Sequence, residues 1–514
     1  MDTHPRHPLA VCMPARRAAC ATLCLFTLCV SLPGCLAGPG PKLFPAAPIE
    51  VRATDAGFTE RWYDVNGDGA LDYVETLSPE GRLTRIGYGD GRNGAVETID
   101  LDAIPPAEQK HLLLLLDSVP FDLSVEAWRH GRFRYCAPPS CLISPFPVMT
   151  DLSFSEFAGV CPCPGIESEY FDGTKLTSGY EVYAAGGNVP WQRDVDYRLN
   201  PVLHAQAYLS PYPWLDHELR QIQNLYRQRA EPLTTGYVVG TSSVGATLAR
   251  NGHAVALVRV DRMCQQILYE TRGRARFTLL SDHGHRFGDS KRISIRDNLR
   301  AMGYRVGSRL RDPGDVVVPE FGMVSCVAIH THSAARVARD AVTIEGVEIA
   351  AYMDDGEMIV LSRDGQARVR RGPAGFAYLP ESADPLELAP VLERLRADGL
   401  IDAEGFVADE ALFQATARAA FPDAVYRLWR AFHGLVEHTP DVLLSLADGY
   451  HAGSGLQDKM IDLIGVHGSL RPDSTYGFMM STTELPPILR MEQARAALRD
   501  IGVPLAERTE YAGW

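Results

Sequence analysis

Two apolar runs, each closed by a carboxylate, constrain this chain more than any other feature: His111-Leu-Leu-Leu-Leu-Leu-Asp117 and Phe277-Thr-Leu-Leu-Ser-Asp282. A short run without polar alternation suits a strand buried on both faces, as in a largely parallel sheet covered by helices. Open sheets of that kind gather their functional groups at the carboxyl ends of the strands. Asp117 and Asp282 are therefore expected at one edge of one sheet. Segments 220–229, 245–252 and 260–272 carry helical periodicity around these strands, so the fold class is α/β. From 331 to 440 the pattern changes. Strand-like pieces at 342–352, 357–361 and 367–369 precede amphipathic helices at 390–397, 410–420 and 424–437, which suits an inserted cap. Segments 442–446 and 461–467 are expected to return to the core.

The 514 residues, 46% of them hydrophobic, suffice for a large core, and the formal charge of −14 excludes a broad nucleic-acid-binding face. Any phosphate group is then held locally, by a metal.

The amino terminus has the marks of export. Arg6, Arg16 and Arg17 precede an apolar run over 21–32 that is too short to cross a bilayer, and Leu32-Pro33-Gly34-Cys35 follows. That tetrapeptide resembles a bacterial lipobox. The resemblance implies a signal peptide over 1–34, lipidation of Cys35, and a lipid-anchored protein of the cell envelope. Leu36 after the Cys favours the outer membrane and periplasm. A plain signal peptide with a chance Cys is the alternative. Outside the cytoplasm Cys136, Cys141, Cys161, Cys163, Cys264 and Cys326 remain, and disulfides are expected among the first four. A four-cysteine zinc site is disfavoured by their spacing, and Cys264 and Cys326 sit in apolar contexts that suit buried thiols.

Residues 35–48 are rich in Pro and Gly and suit a tether. A small β unit over 49–104 follows. It contains Asp64-Val-Asn66-Gly-Asp68-Gly69-Ala70-Leu-Asp72-Tyr-Val-Glu75, which places oxygen ligands at the positions of a calcium loop, with the Ala70 carbonyl at the seventh and Glu75 at the twelfth. The flanks read as strands, so a structural calcium ion in a β unit is expected; a solvated acidic turn is the alternative.

The most specific local string is Ser281-Asp282-His283-Gly284-His285. An adjacent carboxylate and imidazole at a strand end suit one divalent metal, and the glycine lets the chain turn away. With LLLLLDSVPF around Asp117, SPFPVMTDLSF around Thr150 and GVHGSL around His467, segments 108–330 and 441–514 resemble the alkaline phosphatase superfamily, nearest its type I phosphodiesterase and nucleotide pyrophosphatase branch. The resemblance implies a three-layer αβα sandwich with the small β unit in front and the cap inserted. It also implies Thr150 as nucleophile and Asp117, Thr150, Asp282, His283 and His467 as metal site. One or two divalent ions, zinc by preference, would serve there in hydrolysis of a small phosphate mono- or diester.

A threonine hydroxyl needs a metal to gain alkoxide character, which is why these residue types occur together. One departure stands out. The family's Asp-x-x-x-His pair, which holds the first of its two zinc ions, falls here on Ser242 and Ala246. His285, His253 and Asp216 are the residues from which that half could be rebuilt. Without it, a catalytically weak or silent lipoprotein that keeps the fold for binding is the alternative. Glu167, Glu169, Asp172, Lys175, Trp191 and Arg193 follow the nucleophile segment as possible pocket lining. His330 and His332 suit a strand, and His204, His217 and His433 suit structural roles.

Overall fold

In the computed structural model, which describes residues 39–89, 96–179, 189–455, 458 and 463–506, the leucine run forms the strand Lys110–Leu116. The lipobox, Cys35 and the signal segment lie outside the described residues. Leu112, Leu114 and Leu116 enter one hydrophobic cluster, and Leu113 and Leu115 enter another, so the unbroken run reflects burial on both faces. The strand pairs in parallel with Leu233–Val238 and with Ala275–Ser281. Tyr476–Ser481 joins antiparallel to Ala275–Ser281 and to Ser140–Ile143, which is parallel to Ile488–Arg490. The sheet is thus six-stranded and mixed.

Helices cover both of its faces. Pro211–Gln228 and Gly240–Glu270 pack on one through Leu215, Leu219, Ile222, Leu257 and Val260. Thr150–Ala158 and Met491–Asp500 pack on the other through Phe154, Phe157, Met491, Ala494 and Leu498. The expected three-layer sandwich is present. The helical segments expected at 245–252 and 260–272 are parts of Gly240–Glu270, which breaks at Ala249 (φ 54°, ψ −147°).

The cap expected over 331–440 needs correction. It belongs to a nine-stranded sheet that also takes in Arg305–Val306, Asp315–Val317 and Cys326–Thr331 before it and Val442–Leu446 after it. Val442–Leu446 lies antiparallel between Cys326–Thr331 and Val347–Asp354, so it completes the second sheet and does not return to the first. All five of its residues are buried, as in the Asp117 strand. Burial on both faces marks a central strand and leaves unstated which sheet it is central to.

Arg427, on the helix Ala424–Phe432, joins the two units beside the loop that precedes Thr150. Buried, it donates to the carbonyls of Ser144 at 2.7 Å, Pro422 at 2.9 Å and Leu470 at 3.4 Å.

The tether is shorter than expected, because Phe44 is fully buried against Tyr63, Tyr73 and Tyr269. Its N–H donates to the Arg262 carbonyl at 3.0 Å, and its carbonyl accepts from Arg262 Nε at 2.7 Å. The β unit is a five-stranded antiparallel sheet in sequence order.

Within that unit the calcium cage is not assembled as its spacing suggests. Glu75 turns into the core and accepts from Tyr63 Oη at 3.0 Å, and burial pushes its carboxyl up to about 7. Its strand alternates toward the sheet interior at that position, which no spacing rule registers. Asp64, Asn66, Asp68 and Asp72 instead accept backbone N–H groups of their own loop, those of Gly67, Gly69, Asp68, Ala70, Val65 and Asn66. The expected disulfides are absent too: all six cysteines are free and buried.

Phe44→Ala is expected to destabilise the protein by about 3 kcal/mol, the cost of emptying a fully buried aromatic site. Urea denaturation followed by tryptophan fluorescence measures it. A change below about 1 kcal/mol would mean that the 39–48 segment is not docked on the core.

Candidate metal centre

Strand register builds the site. Leu116 is level with Ser281 on one side and Val238 on the other, so Asp117 and Asp282 emerge side by side at the sheet edge. Ser118 fastens the two turns together: its N–H donates to Asp282 Oδ1 at 2.9 Å and its hydroxyl to Asp117 Oδ1 at 2.6 Å. Tyr237, in the neighbouring parallel strand, donates its phenol to Asp117 Oδ2 at 2.5 Å. Tyr237 and Ser118 escape sequence reasoning because only the register brings them here.

Ligand atoms of Asp117, Asp282 and His283 lie within 4.8 Å of one another, all three residues buried. Among the described residues this is the one such group of histidine, cysteine, aspartate or glutamate. His283 Nδ1 lies 2.9 Å from the Gly284 carbonyl, which only accepts, so Nδ1 carries the hydrogen and Nε2 keeps its lone pair. Nε2 faces Asp282 Oδ2 at 3.3 Å, and that oxygen is buried with no hydrogen-bond partner. Two acceptors facing each other across a buried gap suit a cation between them. Burial and then the neighbouring Asp117 push the Asp282 carboxyl well above its ordinary value, and burial lowers His283, keeping the imidazole neutral and fit to ligate.

Thr150 opens the helix Thr150–Ala158, and its Oγ1 stands 3.3 Å from His283 Nε2. Asp151, next along, accepts from Trp191 Nε1 at 2.9 Å, which brings Trp191 beside the helix Thr150–Ala158. The other residues considered as lining serve elsewhere. Glu167 and Glu169 accept from the backbone of 320–322, and Asp172 closes its own turn with Thr174 and Lys175.

Where the resemblance expects the Asp-x-x-x-His pair, Ser242 Oγ is held by Ser118 Oγ at 3.3 Å and Tyr208 Oη at 3.1 Å, while Ala246 is buried. Glu218 supports the start of this helix, accepting from Val239 N at 3.1 Å and Gly240 N at 2.7 Å, and burial pushes its carboxyl up to about 8. His467 does join the centre: its ring stacks on His283 at 4.1 Å, and its Nδ1 donates to the Val148 carbonyl at 2.9 Å. Burial holds His467 and His253 down at about 3 and His285 well below its usual range. Asp216 lies elsewhere, paired with Arg259 at 3.0 Å. His330 packs on Phe171 and His332 is exposed, so they form no chelating pair.

No protein-family model matches the chain, and comparison with curated proteins gives no match. Among solved structures, the chain is similar to human ectonucleotide pyrophosphatase/phosphodiesterase 5, at 9% identity over 76% of this chain and 94% of that one, with a TM-score of 0.40. The murine protein of the same name gives 10% identity over 76% and 95%, with a TM-score of 0.41. An inactive variant of that murine protein in complex with AMP gives 10% over 76% and 94%, with a TM-score of 0.39. These identities are too low to carry activity or substrate across.

A carboxyl held above its usual range keeps its proton to higher pH, so a metal entering beside Asp282 displaces a proton and binds more tightly as pH rises. The expected gain in zinc affinity between about pH 6 and pH 8 is up to about tenfold per unit for one displaced proton. Competition against a chromophoric chelator measures it, and Asp282→Asn is expected to flatten the dependence. An affinity that fell with pH, or stayed level in the wild type, would place the metal away from Asp282.

Proposed function

We propose that this chain is a metal-dependent hydrolase of phosphate mono- or diesters, with Thr150 as nucleophile. The observation that carries the proposal is the placement of Thr150 Oγ1 at a helix start, 3.3 Å from His283 Nε2 and beside the buried Asp117, Asp282 and His283. A divalent ion such as zinc, held there, supplies alkoxide character to the hydroxyl and offsets charge on phosphoryl oxygens.

The chain's own groups do the rest. The open N–H groups of the first helical turn favour an anionic phosphoryl group in front of Thr150. The Gly284 carbonyl keeps the His283 lone pair turned toward the threonine, and Tyr237 and Ser118 hold both Asp117 oxygens in place. Thr150 Oγ1 takes the phosphoryl group as the ester oxygen leaves with a proton. Water then attacks phosphorus, releases phosphate or its monoester, and restores the hydroxyl.

The cell envelope is the proposed location, on Leu32-Pro33-Gly34-Cys35 alone. No helix among the described residues is long and apolar enough to cross a membrane. A second reading, a binding protein that keeps the fold, is favoured by Ser242 and Ala246 standing where metal ligands are expected.

Thr150→Ala is expected to lower turnover of 4-nitrophenyl phosphate mono- or diesters by at least about 10³-fold, with metal binding retained. Thr150→Ser is expected to keep part of the activity. Equal rates for wild type and Thr150→Ala across zinc, manganese and magnesium would sink the hydrolase and leave the binding protein.

A further inference from the structure

The strand Glu50–Ala53 is an outer edge of the five-stranded β unit. It pairs antiparallel with Thr59–Tyr63 on one side, and among the described residues no strand pairs with the other. Ile49 continues the pairing, its N–H donating to the Trp62 carbonyl at 2.8 Å. Every residue from Ile49 to Ala53 is exposed. Ile49, at 71% exposure, and Val51, at 59%, are the two most exposed large hydrophobic side chains among the described residues, and they project from the same face of one strand. An open row of backbone donors and acceptors beside such side chains is a template for a further strand.

We propose that this edge joins two copies of the chain, strand to antiparallel strand, about a two-fold axis at Val51. The order Ile49-Glu50-Val51-Arg52-Ala53 names the occupant, because it is complementary to itself. A two-fold axis at Val51 sets each residue opposite the one equally far along on the other side, so Glu50 of one copy meets Arg52 of the second, and the reverse. On the opposite face Val51 meets Val51, and Ile49 meets Ala53 on either side of it. One face of the junction is a row of opposite-charge pairs and the other an apolar row. Directly opposed pairs of both kinds stabilise an antiparallel ladder.

The side chains are already arranged for this. Arg52 reaches Glu50 of its own strand through two bonds, Nε to Oε1 at 2.8 Å and Nη2 to Oε2 at 2.7 Å, and its guanidinium lies over the Trp62 ring at 4.7 Å. Both charged groups are therefore held beside the edge, which lowers the entropy lost when four charges from two copies meet there. The other edge of the unit, Val96–Asp100, has Glu97 and Asp100 as its only charged residues, so a second copy brought to it meets carboxylates alone. Like charges of that kind repel strand addition, whereas Glu50 and Arg52 cancel across the axis. Five strands from each copy then form one continuous sheet. A junction this short makes a weak pair that depends on concentration.

Sedimentation velocity on the full chain, in a density-matched detergent, tests the proposal. Wild type is expected to pass from monomer to dimer as its concentration rises to about 100 μM, the range of a weak interface. Glu50→Arg or Arg52→Glu alone sets like charges opposite each other in both pairs, and each is expected to weaken dimerisation at least about tenfold. An equimolar mixture of those two variants is expected to form a mixed dimer, and the variant with both exchanges to recover the wild-type association. The mixture reads the same contact even if the doubly exchanged chain folds poorly. A wild type that stays monomeric over this range would overturn the proposal. So would a dimer that the single reversals leave as strong, or that neither the mixture nor the double exchange restores, since the contact would then lie on another surface.

Discussion

Two carboxylates buried side by side without a cation of their own are the constraint around which this protein is arranged. Asp117 and Asp282 are brought together by register, since their strands run parallel and level. Removing a carboxylate from water costs several kcal/mol, and a second one nearby adds repulsion. Hydrogen bonds from Ser118 and Tyr237 offset part of that cost, yet Asp282 Oδ2 remains without a donor and faces the lone pair of His283. A proton on Asp282, or a metal ion in its place, removes the conflict.

Elsewhere the chain meets the same difficulty with its own guanidinium groups. Buried Asp423 pairs with Arg490 at 2.7 Å, and Arg490 also holds Asp409 at 2.7 Å. Buried Glu156, on the helix Thr150–Ala158, pairs with Arg430 at 2.9 Å. Burial pushes the Asp423 carboxyl up to about 6 and that of Glu156 to about 7 even so. These pairs tie the helices of 409–432 to the helix Thr150–Ala158 and to the edge strand Ile488–Arg490, and Arg427 adds its clamp on the Ser144 carbonyl. Asp423 and Glu156 thus receive a guanidinium partner, whereas Asp117 and Asp282 at the sheet edge have none among the described residues. These pairs and the Arg427 clamp fix the loop before Thr150, whose hydroxyl stands 3.3 Å from His283 Nε2.

Much of this centre was legible one residue at a time. The runs ending at Asp117 and Asp282 announce buried strands because five leucines in a row have no other stable place. Asp-His-Gly announces a ligand pair on a turn. Tyr237 and the bonds of Ser118 were not legible, since they reach the site across strand pairings, whereas Trp191 was singled out among the possible lining. Segment 442–446 went to the wrong sheet for the same reason, because apolarity reports burial and not neighbours. Phe44 was taken for part of a tether, as one aromatic among prolines and glycines carries no period. Glu75 satisfied a spacing rule while its strand turned it inward.

What the sequence determined by itself is therefore the inventory and its local order: which strands are buried, where their carboxylates fall, and which imidazoles and hydroxyl lie near them along the chain. Local steric and hydrophobic preferences act over a few residues, so a few residues suffice to show them. Only the tertiary structure decided which groups face one another. The 3.3 Å gap between Asp282 and His283, the stacking of His467 on His283, and the meeting of His253 with His285 across the Ala249 break all join residues whose proximity depends on packing of whole layers. Packing is a collective property of the folded chain, and no single segment contains it.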